Sequence, residues 1–246
     1  FNPRTWGRMF SFLFLWQTIF SAPLSISAAC VGFAQYFRYA FPNAGLGTGS
    51  IAACVCVLVT FVLYRPIKTV GRLSVVMLVV VLVAMFWVIA SALAHLNPHM
   101  AFDLPPNAFH LSKAFFYGMA SATLIAMYNF GGYSNITYLG GEVRNPTKNI
   151  PRAIVLSVLV VAVLYLLMSV VIIGTIPWRE AATSHAVVSE FIGKLYGAHA
   201  ASLMTGLILA ATLGGILTMT LGYSRILYAA GAEGNFFKIF GSVNTK

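Results

Sequence analysis

The sequence is short of charge. Asp, Glu, Lys and Arg make up 8% of its 246 residues, where a water-soluble domain carries about a quarter. Acidic residues are the scarcest, 5 against 15 Lys and Arg. A surface so thinly charged cannot face water, which excludes an ordinary soluble enzyme or binding module. Catalytic patterns are missing as well. There is no HExxH run, and the only aspartate, Asp103, lies in loop sequence, so neither a membrane zinc protease nor a two-aspartate protease fits. Gly132-Tyr133-Ser134 and Gly222-Tyr223-Ser224 are mere fragments of a serine-nucleophile pattern. The 3 cysteines, Cys30, Cys54 and Cys56, sit in apolar segments without a CxxC pair or zinc spacing, and small apolar packing is their expected role. No catalytic residue, cofactor or metal is expected, and the chain does not read as an enzyme. Its net charge of +10 comes from short segments rather than one continuous stripe, so no nucleic-acid partner is expected either.

What the sequence has is apolar residues, 59% of the total. They form runs of about 20 residues, each long enough to cross roughly 30 Å of hydrocarbon as a helix. Six spans are expected, over 9–37, 50–64, 73–96, 115–140, 153–176 and 200–230. The stretch 74–89 is almost unbroken apolar sequence and does not alternate as a barrel strand must. The expected fold class is therefore an all-α integral membrane protein, with residues 1–246 in a single membrane domain and the lipid bilayer as its solvent. Placed on alternate sides of the six spans, eleven Lys and Arg residues fall on one side and four, Arg38, Lys113, Arg179 and Lys194, on the other. That bias puts both chain ends in the cytoplasm of a multi-pass plasma-membrane protein. The outer segment 177–199 contains a candidate short surface helix around 189–196.

The fourth span stands apart. Near its middle runs Tyr128-Asn129-Phe130-Gly131-Gly132-Tyr133-Ser134-Asn135. Two adjacent glycines cost about 1 kcal/mol each in a helix relative to alanine, and Asn and Ser offer the backbone competing hydrogen bonds. A break near 129–133 is expected. Freed backbone groups cannot face lipid, so they line a wet cavity or are buried in protein; in transporters such breaks offer N–H and C=O groups to a ligand near the midplane. The backbone around Gly131 and Gly132 is thus a candidate for ligand contact, with Tyr128 and Tyr133 beside the glycines as candidate gates. The competing reading is that the glycines simply allow close helix packing. Beyond the break, Pro146 and Pro151 bound a polar turn, with Pro151 expected in the first turn of the next helix. Glu142, near the inner end of its span, is a candidate gate residue pairing with Arg144, Arg152 or Arg225.

From Tyr128 to Ile154 the sequence YNFGGYSNITYLGGEVRNPTKNIPRAI resembles the sixth-helix region of the amino acid, polyamine and organocation transporter superfamily, most closely its L-type amino-acid transporters and their bacterial relatives. Weaker similarity covers nearly the whole chain, including Ser224 to Tyr228 at the inner end of the family's eighth helix. The resemblance implies a LeuT-type fold of two inverted repeats, of which this chain, beginning at Phe1 without a methionine, is a fragment holding helices three to eight. It implies alternating-access transport of a small molecule, an amino acid or an amine. By this resemblance Tyr128 takes the place of the family's aromatic gate, and Phe130, Gly131 and Gly132 that of the unwound turn whose carbonyls accept hydrogen bonds from the substrate amine, with Asn129 and Ser134 flanking it as candidate substrate-binding residues. Tyr133 stands where relatives usually have tryptophan and Gly141 where many have a glutamate. No lysine lies in 73–96, where many members carry one; the coupling mode, whether proton symport, exchange or uniport, is left open, with protons as a candidate partner. Thr218 and Thr220 are candidate hydroxyls for a cation-like site or else packing residues. The loop 38–49 lacks the cysteine that light chains of the family use, so no disulfide-linked heavy subunit is expected. No Asp or Glu lies deep in a span, which favours a neutral amino acid. The alternatives are a polyamine or other organocation carrier, and a channel or structural membrane subunit.

Overall fold

In hydrocarbon an unpaired backbone N–H or C=O costs several kcal/mol, so spanning segments satisfy themselves internally as helices. The computed structural model of the chain describes residues 3–64, 67–101, 103, 109–133, 143, 145–184, 186–232, 234 and 236–241. Among these there is no strand. Four helices among the described residues are long and apolar enough to cross a membrane, and the protein is an all-α, multi-pass membrane protein. The chain divides into two compact units, residues 1–84 with 188–246, and residues 85–187.

The first unit is built on α1 (Pro3–Ala40), α2 (Thr48–Leu63), the first part of α3 (Ile67–Ala94), α8 (Val187–Tyr196) and α9 (Ala198–Ala232). α1 reverses into α2 through a short 3₁₀ turn, Pro42–Ala44, closed by Gly45 in the left-handed conformation at φ 63°. That is a conformation glycine adopts without a Cβ penalty. The buried faces follow the helical period: Cys30 and Ala34 of α1 meet Ile51, Val55 and Val59 of α2 and Ile216 and Leu217 of α9. α8 is amphipathic, burying Ser189, Phe191 and Ile192. It is tied to α9 by the buried Thr205 hydroxyl, 2.9 Å from Ser189 Oγ. At 16 residues α2 extends about 24 Å, shorter than the hydrocarbon layer.

Gly214 of α9 packs directly on the Met77 side chain of α3, so closely that a Cβ there would overlap the Met77 Cβ. Gly214→Val is therefore expected to cost about 1–3 kcal/mol through overpacking. The loss should appear as a lower thermal midpoint of the full-length protein.

The second unit holds the rest of α3, the single turn α4 (Pro98–Ala101), α5 (Lys113–Asn129), α6 (Pro146–Ile173) and α7 (Trp178–Ala181). The ends of α3 and α6 are joined where the Asn97 N–H donates to the Gly174 carbonyl at 3.0 Å. Leu96 and Ala101 occupy the space a Gly174 side chain would need. α5 starts at Ser112, whose hydroxyl accepts from the Phe115 N–H at 3.2 Å, an ordinary N-cap.

Two helices begin in polar sequence well ahead of their apolar runs, α1 at Pro3 and α6 at Pro146. In α6 the first-turn proline is Pro146, not Pro151: Asn145 caps the helix in the left-handed conformation at φ 49°, and Pro151 lies inside it. The reason is that Pro146 already satisfies the preference of proline for the start of a helix, and the helix then runs on through Pro151 at the loss of one backbone hydrogen bond.

Candidate functional site

α5 ends in mid-sequence of an apolar stretch. Its last residue is Asn129; the Phe130 N–H still donates to the Ala126 carbonyl at 3.1 Å, and residues 131–133 form a 3₁₀ turn. A tightened last turn is one way a helix satisfies its final carbonyls. The helix buries none of its residues, and Tyr128 and Tyr133 are 55% and 53% exposed. Asn129, Gly131 and Gly132 are exposed too.

The two glycines are informative for what does not explain them. Neither has a positive φ, so the backbone does not require glycine. Nor does the space: a Cβ at Gly131 or Gly132 would meet nothing within 4 Å. A side chain at either place is compatible with everything described around it. What their lack of a side chain provides is an uncovered backbone at the end of α5.

Beside this end lies a cavity of about 440 Å³ between α5 and α6. Ala126, Asn129 and Phe130 line one wall. Ala162, Tyr165, Leu166 and Ser169 of α6, at helical spacing on one face, line the other, together with Met168. Phe130 and Tyr165 stand edge to face, with ring centroids 5.4 Å apart and planes at 75°. The wall is mostly apolar with a few polar groups, the Asn129 amide, the Tyr165 phenol and the Ser169 hydroxyl, and such a lining suits a small molecule.

Of the residues singled out from sequence, the structure brings Asn129 and Phe130 into this cavity and places Tyr128, Gly131, Gly132 and Tyr133 next to it along the chain. Ser134 and Glu142 lie outside the described residues, as do Gly141 and Arg144. Tyr165 and Ser169 are lining residues that the sequence reading did not name. Their signal is a phenol and a hydroxyl four residues apart, one helical turn, in a mostly apolar span. Thr218 and Thr220 spend their hydroxyl protons on their own helix, donating to the Gly214 carbonyl at 2.9 Å and the Ile216 carbonyl at 2.7 Å. Only their oxygen lone pairs remain for another partner. Among the described residues no group of three or more His, Cys, Asp or Glu side chains could hold a metal ion.

The chain, whose apolar helix α5 ends beside a cavity, matches a family model along its length. The family model for amino acid permeases covers residues 2–246. The chain belongs to the amino acid permease family. Among its relatives, a branched-chain amino acid permease, BcaP, of Bacillus subtilis is 27% identical over 95% of this chain and 53% of its own length. Solute carrier family 7 member 12 of Mus musculus is 27% identical over 99% of this chain and 53% of its own. The mouse b(0,+)-type amino acid transporter 1 is 24% identical over 98% and 50%. The chain thus spans about half the length of these curated relatives. The family description and the relatives' names are those of permeases and transporters, not enzymes.

Proposed function

We propose that the protein to which this chain belongs is a secondary transporter that moves an amino acid across the plasma membrane by alternating access. The uncovered backbone at the end of α5 forms one half of its substrate site. The observation that carries this reading is the Gly131-Gly132 pair, which serves neither the backbone conformation nor the packing around it. Backbone carbonyls of Phe130, Gly131 and Gly132 then accept hydrogen bonds from the substrate ammonium, an arrangement made strong by its charge. Asn129 and Ser134 flank the substrate, Tyr128 and Tyr133 close over it, and Glu142 gates the inner side. No Asp or Glu lies deep in a membrane-length apolar run to pair with a cationic side chain, which supports a neutral amino acid over a polyamine. Protons are the candidate coupling ion. Both ends of the chain face the cytoplasm by the Lys and Arg bias. No disulfide-linked heavy subunit is needed, since the loop 38–49 carries no cysteine.

Reconstitution of the full-length protein in liposomes tests this function. Uptake of a neutral amino acid is expected to saturate and to favour the L over the D form. Linear, non-stereoselective flux would speak for a channel, and saturable uptake of a polyamine alone for an organocation carrier.

A further inference from the structure

The cavity at the end of α5 is lined mostly by apolar groups; a second cavity, within the first unit, has a charged wall. α8 is seated on α9 through the Ser189 and Thr205 hydroxyls and through Gly193, where a Cβ would stand 3.1 Å from the Ala201 Cβ. With α8 held there, the last turn of α1, one face of α8 and the start of α9 surround a cavity of about 570 Å³, a size that suits a small molecule. Glu190 and Lys194 make its charged wall, one helical turn apart and so neighbours on the surface of α8. Glu190 is half-buried and Lys194 exposed. Tyr39 brings a phenol from α1, and Ser202 a hydroxyl from α9. The Ser202 hydroxyl donates to the Ala198 carbonyl at 3.1 Å, so toward the cavity its oxygen can only accept.

We propose that this cavity is a second small-molecule site, and that it takes a zwitterion, an α-amino acid, by its two charged groups. The balance of charge selects the class. One carboxylate and one ammonium line the wall, so a ligand with a single charge meets an attraction and a repulsion at once, whereas a zwitterion laid against the pair in the opposite sense satisfies both. The ligand ammonium donates to Glu190 and to the Ser202 oxygen; the ligand carboxylate accepts from Lys194, with the Tyr39 phenol as a further donor. Attraction between Glu190 and Lys194 themselves is weak at so exposed a place, so the ligand competes with little. The small residues Gly193 and Ala201 leave room in the cavity for the side chain of the ligand. α8 lies outside the membrane-length helices, so a polar ligand reaches the site from water. In the orientation proposed above that water is outside the cell. The site itself rests neither on that orientation nor on the reading of α5.

Thiol protection in the full-length protein tests the site. In a cysteine-free background, Ala198→Cys puts a thiol on the cavity wall, and His199→Cys puts one at the next position, which is exposed and does not line the cavity. L-Leucine should slow maleimide labelling at position 198 several-fold and leave position 199 unchanged. Leucinamide keeps only the ammonium and 4-methylpentanoate only the carboxylate; each should need a concentration at least about tenfold higher, having lost one charged hydrogen-bonding group. Glu190→Gln and Lys194→Gln should each abolish protection at 198 and leave protection of Asn129→Cys, at the end of α5, as it was. Protection at 198 without protection at 129 upholds this site and counts against the reading of α5, whereas protection at 129 alone does the reverse. The proposal is overturned if leucine leaves 198 unprotected, if either single-charge analogue protects as well as leucine, or if protection survives either substitution. The analogue series is read on Ala198→Cys alone, so it decides the matter even where a charge variant fails to fold.

Discussion

Gly131→Leu is expected to weaken amino-acid binding by the full-length protein at least about a hundredfold, close to 2.8 kcal/mol, while membrane insertion and thermal stability stay at wild-type values. The two halves of this expectation rest on different observations. Stability is preserved because the added side chain meets nothing within 4 Å and the glycine backbone is not left-handed. Replacing glycine near a helix end also lowers the entropy lost on folding. Binding is expected to be lost because a branched side chain would cover the carbonyls to which the proposed site assigns the substrate ammonium. If the glycines instead let another helix approach closely, leucine would lower insertion or stability along with binding. Measuring binding and thermal midpoint on the same preparation separates the two readings, and Gly131→Ala should fall between wild type and leucine in affinity.

The second large effect concerns the aromatic pair at the cavity. Phe130 holds the end of α5 against Tyr165 of α6, an edge-to-face contact worth about 0.5–1.5 kcal/mol beyond the area it buries. α5 buries no residue elsewhere along its length, so this pair is a main anchor for the position of its end. Phe130→Ala and Tyr165→Ala are each expected to reduce uptake about tenfold, and the double substitution should be little worse than either alone, the mark of groups acting as a pair. Fully additive losses in the double variant would show that the rings act separately.

Much of the architecture follows from composition and period. Apolar runs of membrane length can only be helices or a closed barrel, and the absence of alternation in 74–89 decides for helices. The stop of α5 at Asn129 has a local cause in the two glycines and the asparagine before them. Where helices begin was less legible. Hydropathy reports which residues tolerate lipid, whereas α6 starts in polar sequence at Pro146, a residue suited to the first helical position. The same distinction explains why α1 extends back to Pro3. Features made by two elements at once left no signal of their own. Gly214 and Gly174 read as ordinary membrane glycines until Met77 and Leu96 are found against them. Likewise the α6 wall of the cavity, Tyr165 and Ser169 among it, exists only once the end of α5 lies alongside.

Substrate protection of a thiol at the break tests the central claim most directly. In a cysteine-free background of the full-length protein, Asn129→Cys places a reactive group on the cavity wall, and Gly118→Cys places one on the same helix where a side chain meets nothing within 4 Å. A saturating neutral L-amino acid should slow maleimide labelling at position 129 several-fold and leave position 118 unchanged. Equal labelling at 129 with and without the amino acid, in protein that still transports it, would contradict a substrate site at the end of α5.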